Sequence, residues 1–187
     1  MSQDTINTDN LDFCANTENV PGVSPMDIFA CPVSEFLTID KLPAKDAVTD
    51  LAAAATIVGP HTFEEGKGFF KISVLPETGM VESSAEGEKG SKSWANSFAG
   101  TLPNISAKSK GFLRKYQNVP MIFVIPQLNG DNVQLGSATS PAFMTEATPS
   151  TGAKAGDVVG VPLKFADVQG CPAPIYDGTI TEFTPAV

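Results

Sequence analysis

Residues 120–136 read PMIFVIPQLNGDNVQLG. Met121-Ile122-Phe123-Val124-Ile125 is an unbroken apolar run held between Pro120 and Pro126, which suits a strand covered on both faces. Asn129-Gly130 is the strongest hairpin signal in the chain. Its partner strand is expected at residues 132–136, with Val133 and Leu135 inward. A central buried hairpin makes a mainly β fold the starting expectation.

Upstream, Ser106 or Ser109 offers an N-cap, and Phe112, Leu113 and Tyr116 share one helical face. Arg114 and Lys115 suit a helix C-terminus, and Asn118 and Pro120 stop it, although Gly111 weakens the helix. Before it, Trp94, Phe98 and Leu102 fall on even positions while Ala95, Ser97, Ala99 and Thr101 fall on odd ones. With Gly100 and the hydroxyl residues, that spacing favours a strand over residues 94–102. Phe70, Ile72 and Val74 alternate with Lys71 and Ser73, residues 76–79 read as a turn, and Met80-Val81-Glu82 is extended again. Residues 83–93, with EGEKGSKS at their centre, read as a polar loop at the tip of a long hairpin.

Phe29, Val33, Phe36, Leu37 and Ile39 make a strand-like region interrupted by Pro32 and closed by Leu42-Pro43. Residues 46–57, with their four alanines, fit a short helix or the start of a strand equally well. Downstream, residues 137–157 are turn-rich, Val159, Val161, Leu163 and Phe165 alternate, and residues 175–183 form a last candidate strand. The expectation is a β-sandwich or barrel with one flanking α-helix and a long hairpin loop. Residues 27–187 form its single domain, and residues 1–26, polar and free of periodicity, form an extended N-terminal arm or a plain unstructured terminus.

Twelve basic against 21 acidic residues give a net charge of −9, which repels a phosphate backbone and argues against a conventional nucleic-acid binder. No stretch approaches the roughly 20 apolar residues of a membrane span, and the opening MSQDTINTDN lacks the pattern of a secretory signal. Synthesis and retention in a cytoplasm are therefore expected. Cys14, Cys31 and Cys171 are odd in number and far apart, so reduced thiols are expected rather than a disulfide framework.

Catalytic patterns are missing. The single histidine, His61, sits in GPHTFEEGKG and reads as a solvent-exposed turn residue. Four Cys and His in total, with no C-x-x-C pair, do not suit a zinc site. Glu64-Glu65 and Glu86/Glu88 lie in Gly-rich loops, where solvated charge is the normal outcome. The stretch from Gly87 to Ser93 misses the phosphate-loop spacing, and Asp131 fits a hairpin turn better than a calcium loop. No cofactor and no enzymatic chemistry are expected; assembly or binding is.

The order of these features resembles the tail tube (major tail) proteins of long-tailed bacteriophages. The resemblance covers Asp27 onward and rests on organisation. A polar arm, a hairpin with a polar tip, a short helix and the NG hairpin are followed by Ser150-Thr-Gly152, Gly156-Asp157, the strand to Phe165 and Ala173-Pro-Ile-Tyr176. It implies a β-sandwich assembled as homohexameric rings, stacked into a virion tail tube that conducts DNA during ejection. The rings would be built in the host cytoplasm, with tape measure and terminator proteins as partners, passing DNA without holding it and involving no membrane. Under this resemblance Phe70, Ile72, Val74, Trp94, Phe98 and Leu102 belong to the inner sheet. Glu86, Glu88, Lys89 and Lys92 belong to an inter-ring loop, and residues 1–26 also reach the adjacent ring. A capsid decoration or head–tail connector protein shares the profile, as does a carbohydrate- or ligand-binding sandwich. The last is disfavoured by one Trp and two Tyr against twelve Phe.

Overall fold

A computed structural model describes residues 27–154 and 156–183. The arm proposed for residues 1–26, and Cys14 within it, lie outside the described residues. Chain order runs β1 (Asp27–Pro32), β2 (Phe36–Thr38), β3 (Thr56–Ile57), β4 (Thr62–Phe63), β5 (Phe70–Ser73), β6 (Met80–Glu86) and β7 (Ser93–Pro103). Then come α1 (Ala107–Tyr116), β8 (Met121–Pro126), β9 (Asn132–Leu135), β10 (Phe143–Ala147), β11 (Gly160–Gln169) and β12 (Ile175–Tyr176). The protein is mainly β with a single α-helix, as expected.

Two sheets pack face to face. One has six strands in the order β3-β12-β9-β8-β1-β5, the other four in the order β10-β11-β7-β6, and β2 and β4 form a separate ribbon. Alternation decides what each face buries. From the six-stranded sheet Ile28, Ala30, Ile72, Met121, Phe123, Ile125 and Leu135 point into the central core. They meet Phe98, Leu102, Val161, Leu163 and Phe165 from the four-stranded sheet. The opposite face of the six-stranded sheet carries Cys31, Ile122 and Val124. They cluster with Ile57 and Tyr176 of the same sheet, and Phe69 and the half-buried Phe36, Phe63 and Ile180 pack against them. Strand β8 is thus enclosed on both sides, and this is why its sequence does not alternate.

The hairpin β8–β9 forms in the register Phe123↔Leu135 and Ile125↔Val133. Its connection is longer than a two-residue turn: Gln127 N–H donates to Asp131 O, and Asn129 Oδ1 accepts from Asp131 N–H. Gly130 supplies the positive φ of 95°. Past β9, Gly136 has φ of 90°, and a Cβ there would lie 2.6 Å from the Met121 carbonyl oxygen. Only glycine fits that approach.

Several expectations needed correction. Residues 70–82 and 94–102 do not form one hairpin. Strand β5 pairs with β1 in the six-stranded sheet, whereas β6 pairs with β7 in the other. The chain crosses between the layers at residues 74–79, where Leu75 N–H bonds Thr101 O. The polar loop is also shorter than 83–93, because β6 continues to Glu86, opposite Ser93. An edge strand with solvent on both its outer face and its free side needs no apolar residue to hold a ladder. The turn-rich stretch 137–157 hides β10, and the last candidate strand shrinks to β12 and a bridge between Phe69 and Glu182. The alanine-rich segment becomes two 3-10 turns, Lys45–Ala47 and Ala53–Ala55, leading into β3.

Helix α1 starts as its sequence predicts. Ser106 Oγ accepts the Ser109 N–H at 3.2 Å and Ser109 Oγ accepts the Ser106 N–H at 2.8 Å, a reciprocal cap. Ser106→Ala should lower folding stability by about 1 kcal/mol. The check is a urea titration in which the midpoint falls and the slope stays constant.

Candidate functional site

The outer face of the four-stranded sheet is a continuous exposed surface. Strand β7 buries Asn96, Phe98, Gly100 and Leu102 and turns Ala95, Ser97, Ala99 and Thr101 outward. Register carries this across the sheet: Glu82 lies opposite Ser97, Ala166 opposite Ser97 on the other side, and Lys164 opposite Ala99 and Glu146. The exposed face therefore carries small side chains along β7, with Glu82, Glu86 and Glu146, Lys164 as their counter-charge, and the exposed apolar Met80, Phe143 and Val168. A shallow depression of about 520 Å³ runs over Glu82, Ser84, Glu86, Ala95, Ser97 and Lys164.

Both edges of this sheet, β6 and β10, lack a neighbouring strand among the described residues. All three pairings inside it are antiparallel. With an even number of strands, β6 and β10 run in opposite directions. Strand β6 is exposed along nearly all its length, and β10 carries a register shift between Met144 and Glu146. Bulges and charges are how edge strands avoid indiscriminate pairing.

Of the six residues expected in one inner sheet, Trp94, Phe98 and Leu102 lie on β7 in the four-stranded sheet. Phe70 and Ile72 lie on β5 in the six-stranded sheet, with Val74 just beyond it. Phe98 and Leu102 face Ile72, Val74 and the half-buried Phe70 across the core instead of lining one surface with them. The reason is positional: all six are apolar, and each sheet turns its apolar face to the other. Glu86, the last residue of β6, and Glu88, Lys89 and Lys92 sit together on the exposed tip. The tip closes on itself: Ser91 N–H bonds Glu88 O, Lys92 Nζ donates to Gly87 O at 2.6 Å, and Gly87 and Gly90 take positive φ.

His61 is not an exposed turn residue. It is 2% exposed and stacks on Tyr176 with ring centroids 4.6 Å apart. The Asp40 N–H donates to Nδ1 at 3.0 Å, so in the neutral ring Nε2 carries the proton and donates to Gln134 Oε1 at 2.9 Å. Gln134 Nε2 in turn donates to Gly136 O, and the Tyr176 hydroxyl accepts the His61 N–H while donating to Thr179 O. Burial lowers the His61 pKa, opposed by the Gln134 bond and the Asp40 charge. Every polar atom of the ring is committed to holding loops, which leaves none for a substrate. Gln134 gave no sign of this in sequence; its place between Val133 and Leu135 made it look solvent-facing.

A second buried polar cluster joins the two sheets at the Trp94 end of β7. Asp167, 5% exposed, accepts from Asn96 Nδ2 at 2.9 Å, Gln169 Nε2 at 2.7 Å and the Gly136 N–H. Burial raises its pKa, and these three bonds oppose the rise. The cluster pins the Gly136 loop to β7 and β11. Cys31 and Cys171 are free thiols; burial, aided by Glu35, pushes Cys31 up to about 12. Such a thiol is protonated and inert at neutral pH. Among the described residues no group of three or more Cys, His, Asp or Glu is placed to hold a metal ion. No helix among them is long and apolar enough to cross a membrane. No known family, curated protein or solved structure matches this chain.

Proposed function

We propose that this chain is a structural subunit that closes into a ring through its four-stranded sheet, as in the tail tube of a long-tailed bacteriophage. The observation that carries the reading is the pair of open edges on an even-stranded antiparallel sheet. Rotation about a ring axis brings β10 of one copy beside β6 of the next with opposite direction. The antiparallel pattern then continues across each subunit boundary, and closure leaves no edge unpaired. Six copies fit the tail tube plan, with the sheets forming a closed barrel.

The outward face of that sheet then becomes the lining of the bore. Alanine, serine and threonine keep the β7 part of it small, Met80, Phe143 and Val168 add apolar points that offer phosphate no partner, and Glu82, Glu86 and Glu146 give it the charge of the cargo. A wall that repels phosphates lets DNA pass without counterion release to hold it. The tip at residues 87–92 projects beyond the sheet, in position to touch a stacked ring.

Negative-stain electron microscopy of the concentrated protein, with its size-exclusion mass, tests this. Six-fold rings or hollow tubes are expected. Replacing residues 87–92 by a two-residue turn should leave a folded protein that no longer stacks. A stable trimer would overturn the reading and favour a capsid decoration protein.

A further inference from the structure

We propose that residues 1–26 of this chain dock in the groove between α1 and the free edge of β5. The inference does not depend on the tube reading. The groove has a volume of about 390 Å³ and is walled by Phe70, Ile72, Leu102, Phe112 and Tyr116, with Lys71 and Lys108 on its rim. Its floor is preformed: Phe70 stacks on Tyr116 at 5.2 Å, and Phe112 meets Tyr116 at 5.0 Å. One wall, β5, is the terminal strand of the six-stranded sheet, so its outer side offers backbone groups to an extended chain.

Charge identifies the occupant. Helix α1 carries Lys108, Lys110, Arg114 and Lys115, a third of the basic residues of an acidic protein, and no carboxylate. Two ion pairs form among the described residues, Lys67–Glu35 and Lys71–Asp27, so Lys108 lines the groove without a carboxylate partner among them, while Lys110 and Arg114 add positive charge on the exposed side of the helix. Residues 1–26 are the complement: Asp4, Asp9, Asp12 and Glu18, with no lysine or arginine. Leu11, Phe13, Val20 and Val23 supply apolar side chains among them. In an extended chain Leu11 and Phe13 share a face while Asp12 takes the other. One face then meets the rings and the other the rim.

Position agrees. The segment joins the domain at Asp27, whose carboxylate accepts from Ser73 Oγ at 2.6 Å, and Ser73 itself lines the groove. A ten-residue helix is about 15 Å long, whereas 26 extended residues reach up to about 90 Å. The segment can fill the groove of its own copy or of a neighbour.

The test is a photo-crosslinking amino acid placed at Lys108 in the full chain, with products mapped by mass spectrometry. Crosslinks to peptides from residues 1–26 are expected; a monomer-sized product means the segment comes from the same copy, a dimer-sized one from a neighbour. Asp4→Asn, Asp9→Asn, Asp12→Asn and Glu18→Gln together should cut the yield by about tenfold, the combined worth of a few exposed ion pairs. The same probe at Thr62, on the ribbon, should not capture this segment. Capture of other segments from Lys108, or a yield indifferent to the four substitutions, overturns the proposal.

Discussion

Phe165→Ala is expected to cost about 3–5 kcal/mol of folding stability, a large share of the roughly 5–15 kcal/mol that holds a domain together. Phe165 lies in β11, beside Phe98 of β7 and opposite Met144 of β10 in the same sheet. Across the core it meets Phe123 of β8, ring centroids 4.4 Å apart at a 44° tilt, and both residues are completely buried. This contact joins the two sheets ring to ring. Removing the ring leaves a space whose walls are strands fixed by their own ladders, so the core cannot close over it. Phe63→Ala, on the ribbon, should cost less, because the half-buried ring removes less apolar area from water. Urea midpoints of the two variants measure the contrast. Equal losses would mean that the sheets do not bear on each other as described.

The same contact shows why much of the fold could be read in advance. Phe98, Phe123 and Phe165 each sit in runs whose period or continuity reports the faces of a strand, and the serine cap of α1 is a local device with a local signal. What escaped reading was non-local. Nothing in the residues between Ile72 and Met80 says that the chain changes sheets there, because a turn within a hairpin and a crossover between layers use the same Pro and Gly. Strand β6 was read too short because its second half, Ser83 to Glu86, holds no apolar side chain against the core, and β10 was missed because only Met144 of its five residues packs there. The candidate site suffered most from this: Ile72, Val74, Phe98 and Leu102, assigned to one lining surface, are the core, and the surface itself consists of the alanines, serines and glutamates between the strands' buried positions, with Met80, Phe143 and Val168 among them. The small odd positions of β7 were visible, but their direction was not until β11 and β6 fixed the register.

His61→Phe should be the second large loss, about 2–4 kcal/mol, because the part-buried Asp40 N–H and the buried Gln134 Oε1 would be left without a partner. The variant should also change how stability responds to acid. In the folded protein the ring is held neutral: protonation would place a second N–H on Nδ1, pointing at the Asp40 N–H that now donates to it. Burial sets its pKa below the ordinary 6.5 of the unfolded chain, against the Gln134 bond and the Asp40 charge. Below 6.5 the unfolded state binds a proton that the folded state refuses, so stability is full above that pH and falls as pH drops through it. The groups facing the ring are the Asp40 carboxylate, which accepts from the Gly59 N–H and favours protonation, and the neutral Tyr176, Phe36 and Phe69 rings, which do not titrate in this range. Asp167, with its pKa raised by burial, works in the opposite sense, adding stability as pH falls through its folded pKa, and does so equally in both proteins. The difference between wild type and His61→Phe, measured by urea titration from neutral to mildly acidic pH, isolates the histidine. The gap should be widest at neutral pH and narrow on acidification. A gap that stays constant would mean the ring titrates alike in both states, and the Asp40–His61–Gln134 chain would not be what fastens β9 to the loops that cover it.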